Sequence, residues 1–493
     1  RPGMILFSVV VLFLCAGILT PKEMLEGFSN KGMITVALLF LVSEGIRQSG
    51  TLGQVIKKLL PQGKTTVFKA QLRILPSVAF ISAFLNNTPV VVIFAPIIKH
   101  WAKSVNLPAT KFLIPLSYVT ILGGICTLIG TSTNLVVHGM ILEAGFEGFS
   151  MFELGKVGIF IAIAGIIYIF LFSKRLLPDA RPDTAVPDEE VEEGEKLHRV
   201  EAVLGARFPG INKKLKDFNF QRHYGAEVKE IKTRNGQRFV TNLDDVVLHE
   251  GDTLVVMADD TFIPTWGESS VFVLLTNGNE PDTTGKKKRW FALLLLVLMI
   301  VGATVGELPI TKEMFPGIKL DMFFFVSITT IIMAWTNLFP ARKYTKYISW
   351  DILITIACAF AISKAMVNSG VADSVAKFII GLSDDYGPHV LLAMVFIITN
   401  LFTELITNNA AAALAFPLAL SISAQLGVSP TPFFVVICMA ASASFSTPIG
   451  YQTNLIVQGI GNYKFTDFVR IGLPLNIITF LISIILIPLI WNF

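Results

Sequence analysis

Charged residues are scarce in this sequence. Only 15% of its 493 residues are Asp, Glu, Lys or Arg, whereas 53% are hydrophobic, and the mean hydropathy is +0.65. This balance excludes an ordinary soluble protein of the same size. Apolar runs recur along the whole chain, and several approach the roughly 17 to 25 residues that a spanning helix needs. The sequence therefore predicts an all-α polytopic membrane protein.

Cysteines and enzyme motifs are equally sparse. The four cysteines all lie inside apolar runs, where we expect packing residues rather than disulfide partners: Cys15, Cys126, Cys358 and Cys438. The sequence contains no G-x-S-x-G, H-E-x-x-H or Walker loop, so we expect neither an enzyme nor an ATP-driven pump. A net charge of +4 gives no indication of a nucleic-acid partner.

Most of the dense charge lies in one segment between Arg181 and Arg289. This segment separates two hydrophobic blocks and predicts three domains: transmembrane repeat 1 (1–180), a linker with a small α/β domain (181–285), and transmembrane repeat 2 (286–493). The Lys286–Arg289 run precedes an apolar span, so the positive-inside rule places the insert, 181–289, in the cytoplasm and the rest in the cell membrane.

The two hydrophobic blocks match each other at an offset of 320 or 321 positions. Five landmarks share it: Ser49-Gly50 with Ser369-Gly370, Ser82 with Thr403, Asn87 with Asn408, Pro96 with Pro417, and Asn134 with Asn454. Internal repeats are typical of secondary transporters, whose binding sites lie at the repeat interface near the bilayer midplane. An even repeat would require one more helix before Arg1, and the two halves would then be inverted relative to each other.

Each block contains the same predicted elements. Two spans and a short amphipathic piece lead into two half-length apolar segments joined at an Asn triplet, which we interpret as a re-entrant hairpin. An interrupted helix and a final span follow. The hairpins are predicted at 72–85 with 88–100 and at 388–405 with 409–425, and the interrupted helices at 109–129 with 133–145 and at 430–448 with 451–462.

Four polar breaks lie inside these apolar segments: "AFLNNTP", "LITNNAA", "GTSTN" and "SFSTPIGYQTN". Non-helical backbone persists at membrane depth only where protein or a water-filled cavity satisfies it. Free carbonyls and amide oxygens at such breaks suit a sodium ion, whereas free N–H groups at helix N-termini suit an anion. A single Asn or Thr is more often a helix-packing residue, but four breaks in two matching pairs favour a binding site.

The paired "NNT" and "TNN" tips, each preceded by a hydroxyl at Ser82 or Thr403, resemble the hairpin motifs of the divalent-anion sodium symporter family. The later "GTSTN" and "GYQTN" loops are similar to the partner loops of that family. The resemblance covers nearly all of the hydrophobic chain. It implies an elevator-type alternating-access symporter that works as a homodimer in the lipid bilayer.

Carried over by matching position, the resemblance also implies the ligands of two or more Na+ ions and of one dianion. One sodium would be bound by Ser82, Asn86, Asn87 and Gly130, and a second by Thr403, Ile406, Asn408 and Gly450. The anion would contact Asn87, Thr88, Thr131 and Ser132 on one side and Asn408, Asn409, Tyr451 and Gln452 on the other.

The sequence departs from the family pattern at Asn86, Asn409, Thr133 and the stretch 451–453, which replace serine, threonine and proline-rich loops. The extra amides and hydroxyls suggest a compact, strongly hydrogen-bonding anion. Sulfate is therefore the first hypothesis for the substrate. Di- or tricarboxylate transport and an anion-sensing membrane protein are the alternatives. Glu404, beside the second sodium position, is the argument for proton coupling.

Glu44 and Lys364 occupy matching positions inside apolar runs. They could form a salt bridge across the pseudo-symmetry axis or extend to a helix end.

In the insert, "YGAEV" and "NLDDVVLHEGDTLVV" resemble the C-terminal module of potassium-conductance regulators, a TrkA-C-like domain, over roughly 198–262. "TRNGQRF" predicts a β-hairpin there. Dimerisation and regulation are equally open for this module.

Overall fold

The computed structural model describes residues 2–179, 198–205, 207–233, 237–259, 262–266, 271–276, 286–315, 317–381 and 387–493. Most of these residues are helical. By length and composition, seven helical segments within them could cross a membrane: Pro21–Gln48, Gly155–Leu176, Lys287–Gly306, Trp350–Asn368, Gly387–Leu405, Asn408–Leu426 and Phe465–Ile490. Several shorter apolar helices accompany them. The prediction of a polytopic helical membrane protein is confirmed.

Residues 2–179 of the first half contain nine α-helices. They are α1 (Pro2–Cys15), α2 (Pro21–Glu26), α3 (Lys31–Gln48), α4 (Thr51–Leu59), α5 (Val67–Ser82), α6 (Asn87–Ser104), α7 (Leu113–Gly124), α8 (Ser132–Glu143) and α9 (Gly155–Leu176). The chain breaks between α5 and α6 at the first Asn tip, and between α7 and α8 at "GTSTN", as the sequence predicts.

The small domain between the halves is built on one antiparallel sheet. Its elements are β1 (His198–Leu204), α10 (Phe220–Tyr224), β2 (Glu227–Lys232), β3 (Arg238–Phe239), β4 (Thr253–Ala258), α11 (Phe262–Trp266) and β5 (Phe272–Thr276). The strand order is β3-β2-β4-β1-β5. The predicted hairpin exists as the β2–β3 pair, although Asn235-Gly236 at its tip lies outside the described residues, as does the acidic linker 181–196.

The second half contains eleven α-helices in its described residues. Its helices are α12 (Lys286–Gly306), α13 (Pro309–Met314), α14 (Met322–Trp335), α15 (Tyr344–Tyr347), α16 (Trp350–Asn368), α17 (Val371–Gly381), α18 (Gly387–Leu405), α19 (Asn408–Leu426), α20 (Thr431–Ser442), α21 (Gln452–Gly461) and α22 (Phe465–Ile490). Breaks occur again at the second Asn tip and after Ser442. The inverted orientation of the halves stays a prediction.

The packing of these helices exchanges partners between the halves. Each hairpin packs against the first part of its own interrupted helix, α5 on α7 and α18 on α20. Its second arm packs against the far part of the other half's interrupted helix, α6 on α21 and α19 on α8. Helices α9 and α22 pack together, while α3 with α14 and α1 with α16 form two further pairs. The two tips and the two loops therefore lie at one interface between the halves.

The small domain docks on two of these helices. The Lys99 ammonium near the end of α6 donates to both carboxylate oxygens of Glu201 on β1, at 2.9 Å each, and Lys232 lies 3.5 Å from the same group. Burial raises the pKa of Glu201, but the two ammonium groups outweigh it and lower the pKa to about 2. Gly251 lies against Leu455 of α21. The insert thus contacts one helix from each half, α6 after the first tip and α21 after the second-half loop.

Candidate anion and cation site

The first Asn tip meets the loop of the second half. The Asn87 amide and the Tyr451 hydroxyl lie 2.6 Å apart, and the Thr88 hydroxyl donates to the Gln452 side-chain oxygen at 3.4 Å. Thr131, at the start of the first-half loop, has its hydroxyl 2.9 Å from the same Tyr451 hydroxyl. Asn87 and Tyr451 are buried, at 1% and 6% exposure. Tyr451 therefore connects the first tip with both loops.

The second Asn tip meets the loop of the first half. The Asn409 side-chain oxygen accepts from the Ser132 hydroxyl at 3.1 Å and from the Thr133 hydroxyl at 3.2 Å. Asn408 lies beside Asn409 at the start of α19, and its side-chain oxygen accepts from the Asn409 amide at 3.0 Å. The eight residues predicted to contact the anion thus lie at one interface in three hydrogen-bonded groups: Asn87 with Tyr451 and Thr131, Thr88 with Gln452, and Ser132 with Asn409 and Asn408. Thr133 joins the last group as an addition, and together these residues form one polar cluster.

Four helices of eight or more residues begin in this cluster. They are α6 at Asn87, α8 at Ser132, α19 at Asn408 and α21 at Gln452. Helix N-termini carry free N–H groups and a partial positive charge, which favour an anion. None of the eight predicted anion contacts carries a formal charge. The attraction for an anion must therefore come from helix ends, amides, hydroxyls and any cations bound nearby.

Oxygen atoms converge beside the first tip. One end of the Asn87 side-chain amide lies 2.8 Å from the Ser82 hydroxyl, 3.0 Å from the Thr120 carbonyl and 3.2 Å from the Gly130 carbonyl. When the amide oxygen occupies this end, four oxygen atoms lie close together. Carbonyl, amide and hydroxyl oxygens of broken helices are the groups that hold sodium in transporters. Asn86 instead caps α6, its side-chain oxygen accepting from the Thr88 amide at 3.4 Å. The predicted ligands Ser82, Asn87 and Gly130 lie together, and Thr120 is a fourth oxygen donor.

The second predicted cation position has a looser arrangement. The Thr403 hydroxyl donates to the Ala441 carbonyl at 2.7 Å, and a methyl group on Gly450 would lie 2.3 Å from the Thr403 carbonyl. The Asn408 side-chain oxygen accepts from the Asn409 amide at 3.0 Å. Within the described residues, the buried Thr407 hydroxyl lacks a hydrogen-bond partner. Ile406 lies at the turn just before it.

Both loops are held by matching hydrogen bonds. The Asn134 amide donates to the Thr127 carbonyl at 2.9 Å, and the Asn454 amide donates to the Thr447 carbonyl at 3.1 Å. The Gly130 and Gly450 amides donate to the threonine hydroxyls of the same loops, at 3.2 and 3.4 Å. The Thr127 hydroxyl also donates to the Ala83 carbonyl, and the Thr447 hydroxyl to the Glu404 carbonyl. Each loop is therefore attached to the end of its own hairpin helix.

The charged residues singled out in the apolar runs have local partners. The Glu404 carboxylate accepts from the Ser446 amide at 3.0 Å and from the Asn476 amide at 2.8 Å. Glu44 accepts from the Arg47 guanidinium, one helical turn away, at 2.7 Å. Lys364 is exposed. The structure therefore favours a helix-end pairing of Glu44 over a bridge to Lys364.

Sequence reasoning missed several residues of the cluster. Thr120, Thr127, Thr133 and Thr447 were not predicted as contacts, although two of them, Thr127 and Thr447, match at the offset of 320. A buried hydroxyl that recurs at the repeat offset beside a helix break was therefore a usable signal. Thr120 offered none, because it acts through its backbone carbonyl.

Comparison with known proteins decides the family. The family model described as "Citrate transporter" matches residues 1–427 and 318–492. The chain belongs to the citrate transporter family. An uncharacterised transporter of Synechocystis is 30% identical over 98% of this chain and 93% of its own length. The citrate transporter family consists of membrane transporters, so this member is a transporter and not an enzyme.

Several relatives carry names that specify a solute. "Probable sodium/sulfate cotransporter 3" of Chlamydomonas reinhardtii is 23% identical over 96% of this chain and 84% of its own length. "Sodium/sulfate cotransporter 2" of the same alga is 31% identical over 57% of this chain and 31% of its own length. This member of a family described by a tricarboxylate thus has relatives named for sodium and an inorganic dianion.

Proposed function

We propose that the protein is a secondary active transporter that couples sodium to the uptake of a divalent anion, most readily sulfate. The observation that carries this proposal is the cluster in which each Asn tip contacts the other half's loop. Four helix N-termini begin there, and a group of oxygens lies beside the first tip. Cation and anion positions are thus only one side chain apart.

The absence of formal charge among the eight anion contacts supports sodium coupling. A dianion in a site of low polarity is costly unless its charge is balanced. Sodium ions on the Ser82–Gly130 oxygens and near Thr403 would provide that balance without a buried lysine or arginine. Relatives named as sodium/sulfate cotransporters agree with this coupling.

The short distances across the cluster support a compact anion. Asn87 and Tyr451 lie 2.6 Å apart, and Ser132 and Asn409 lie 3.1 Å apart, so single side chains connect the tips to the loops. A tetrahedral oxyanion could replace these side-chain contacts if the tips and loops moved apart by only a small distance. A di- or tricarboxylate would need more room, and the family description makes citrate the alternative substrate.

Alternating access follows if the hairpins and interrupted helices, α5–α8 and α18–α21, move as one block. The scaffold would contain α3 and α16, which pack on α8 and α19. The cytoplasmic insert, a TrkA-C-like module, would serve a homodimer or regulate the block. The insert contacts α6 and α21, whose first residues belong to the site. Either dimerisation or regulation through the insert could therefore affect solute binding.

Uptake of labelled sulfate into proteoliposomes tests the proposal. We expect uptake to require sodium and to stop when choline replaces it, whereas unchanged uptake would contradict sodium coupling.

Competition with unlabelled succinate, citrate, phosphate and arsenate tests the substrate. We expect the compact oxyanions to inhibit sulfate uptake at lower concentrations than the carboxylates do. Inhibition by citrate at lower concentrations than by unlabelled sulfate would instead favour a carboxylate carrier. Deleting 190–284 should leave measurable flux, which a pure anion sensor would not have.

A further inference from the structure

The Asn87 amide has two possible orientations, and each makes a different set of hydrogen bonds. In one, the side-chain oxygen faces Ser82 and the nitrogen donates to the Tyr451 hydroxyl at 2.6 Å. In the other, the nitrogen donates to Ser82, Thr120 and Gly130 at 2.8, 3.0 and 3.2 Å, and the oxygen accepts from Tyr451 at 2.6 Å. The heavy atoms occupy the same places in both.

A cation decides between these orientations. With the oxygen inward, Asn87 faces the Thr120 and Gly130 carbonyls, which can only accept hydrogen bonds. Three oxygens with no proton between them repel one another unless a positive charge lies among them. Without a cation, the inward nitrogen can donate its two protons to these oxygens. A bound sodium therefore favours the inward oxygen, and its release favours the inward nitrogen.

The orientation of Asn87 in turn decides what the Tyr451 hydroxyl can do. A phenol has a single proton to donate. When the Asn87 oxygen faces outward, that proton is used in the bond to Asn87. When the Asn87 nitrogen faces outward, it donates to the phenol oxygen, and the phenol proton is free to point toward Thr131 and the anion position, 2.9 Å away at the Thr131 hydroxyl.

We propose that Tyr451 is the positioning residue through which sodium at the first tip strengthens anion binding. Sodium turns the Asn87 amide, and the amide releases the Tyr451 proton to the anion. This inference rests on the proposed function and specifies how its two solutes are coupled. Because coupling free energies are reciprocal, the anion should strengthen sodium binding by the same factor.

Tyr451→Phe tests this with the full chain in nanodiscs, because it removes the proton and keeps the ring. Sulfate affinity is measured by radioligand binding in choline and in saturating sodium, and sodium affinity by thermal-shift titration without sulfate. In the wild type we expect sodium to tighten sulfate binding by about 10- to 100-fold. In the variant that gain should fall to within about threefold of none, while sodium affinity without sulfate stays unchanged.

A second variant and a control separate coupling from damage. Asn87→Asp has oxygen at both ends and cannot donate to Tyr451, so the gain in sulfate affinity between choline and saturating sodium should fall as it does in Tyr451→Phe. Tyr168→Phe removes another buried hydroxyl, which donates to the Ile471 carbonyl at 3.1 Å, and should behave like the wild type.

Two outcomes would overturn the inference. In one, Tyr451→Phe keeps the full sodium-dependent gain; in the other, it loses sodium binding in the absence of sulfate, which would make the tyrosine part of the cation site itself. A wild-type protein that binds sulfate equally well in choline and in sodium would instead overturn the proposed function.

Discussion

Glu201 forms the ion pair between the insert and α6, and Glu201→Gln tests how much that ion pair stabilises the contact. Its side chain is 17% exposed and lies 2.9 Å from the Lys99 ammonium. The pKa of Glu201 falls from its ordinary value of 4.5 to about 2 because Lys99 and Lys232 outweigh the effect of burial. That shift corresponds to about 3 kcal/mol favouring the ionised form. The Glu201→Gln variant has no carboxylate and should therefore lose most of this stabilisation.

Hydrogen exchange followed by mass spectrometry measures the loss. If strand β1 opens through rupture of this contact, about 3 kcal/mol corresponds to roughly 150-fold faster exchange of its protected amides. The matched control is Glu227→Gln, which removes an exposed ion pair to Lys229 in the same sheet at 2.7 Å and should change exchange only slightly. Equal exchange rates in the two variants would refute the reasoning.

The same contact predicts a pH dependence. Since the folded-state pKa of Glu201 is lowered, its stabilisation is fully present above about pH 4.5 and is lost as the pH falls toward 2. The wild-type β1 amides should therefore lose protection across that window, beyond the change seen in Glu201→Gln. A wild-type profile parallel to that of the variant would contradict the assignment.

Two further predictions concern the transport site. Asn87→Ala and Asn408→Ala should each raise the sodium concentration for half-maximal uptake by about tenfold or more, because each removes an amide oxygen from a predicted cation position; wild-type sodium dependence in both would contradict the ligand assignments. Gly130→Ala would place a methyl group 2.5 Å from the Gly124 carbonyl and should weaken sodium binding by about tenfold, whereas Gly317→Ala meets nothing within 4 Å and serves as the control. Equal sodium affinity in these two variants would show that the loop tolerates displacement.

The repeat offset predicted where the helices break, because the polar residues, glycines and prolines that interrupt an apolar helix can be identified from the sequence alone. Asn87 and Asn408, matched at 321 positions, do lie at helix starts, and the interrupted helices resume at Ser132 and Gln452. The offset could not predict which tip meets which loop. That choice depends on how two halves pack, and periodicity along a chain contains no information about it.

Other parts of the structure gave weak or misleading signals. Strand β5 was not predicted, although its apolar residues lie between 267–270 and 277–279, whose residue types are turn signals. It pairs with β1 at the edge of the sheet. Glu44 was compared with Lys364 because their positions match at the offset, but an arginine three residues along the same helix is nearer. Local helix geometry was the better guide there.

The exchange of tips and loops between the halves has an evolutionary consequence. Neither half contains a complete site, because the first tip is completed by Tyr451 and the second by Ser132 and Thr133. An ancestral single-repeat protein would have needed two copies to complete the anion position, and duplication with fusion would have made that pairing permanent. After fusion the two copies were free to diverge, so that a tyrosine could arise on one side only, opposite Thr131 at the matching position.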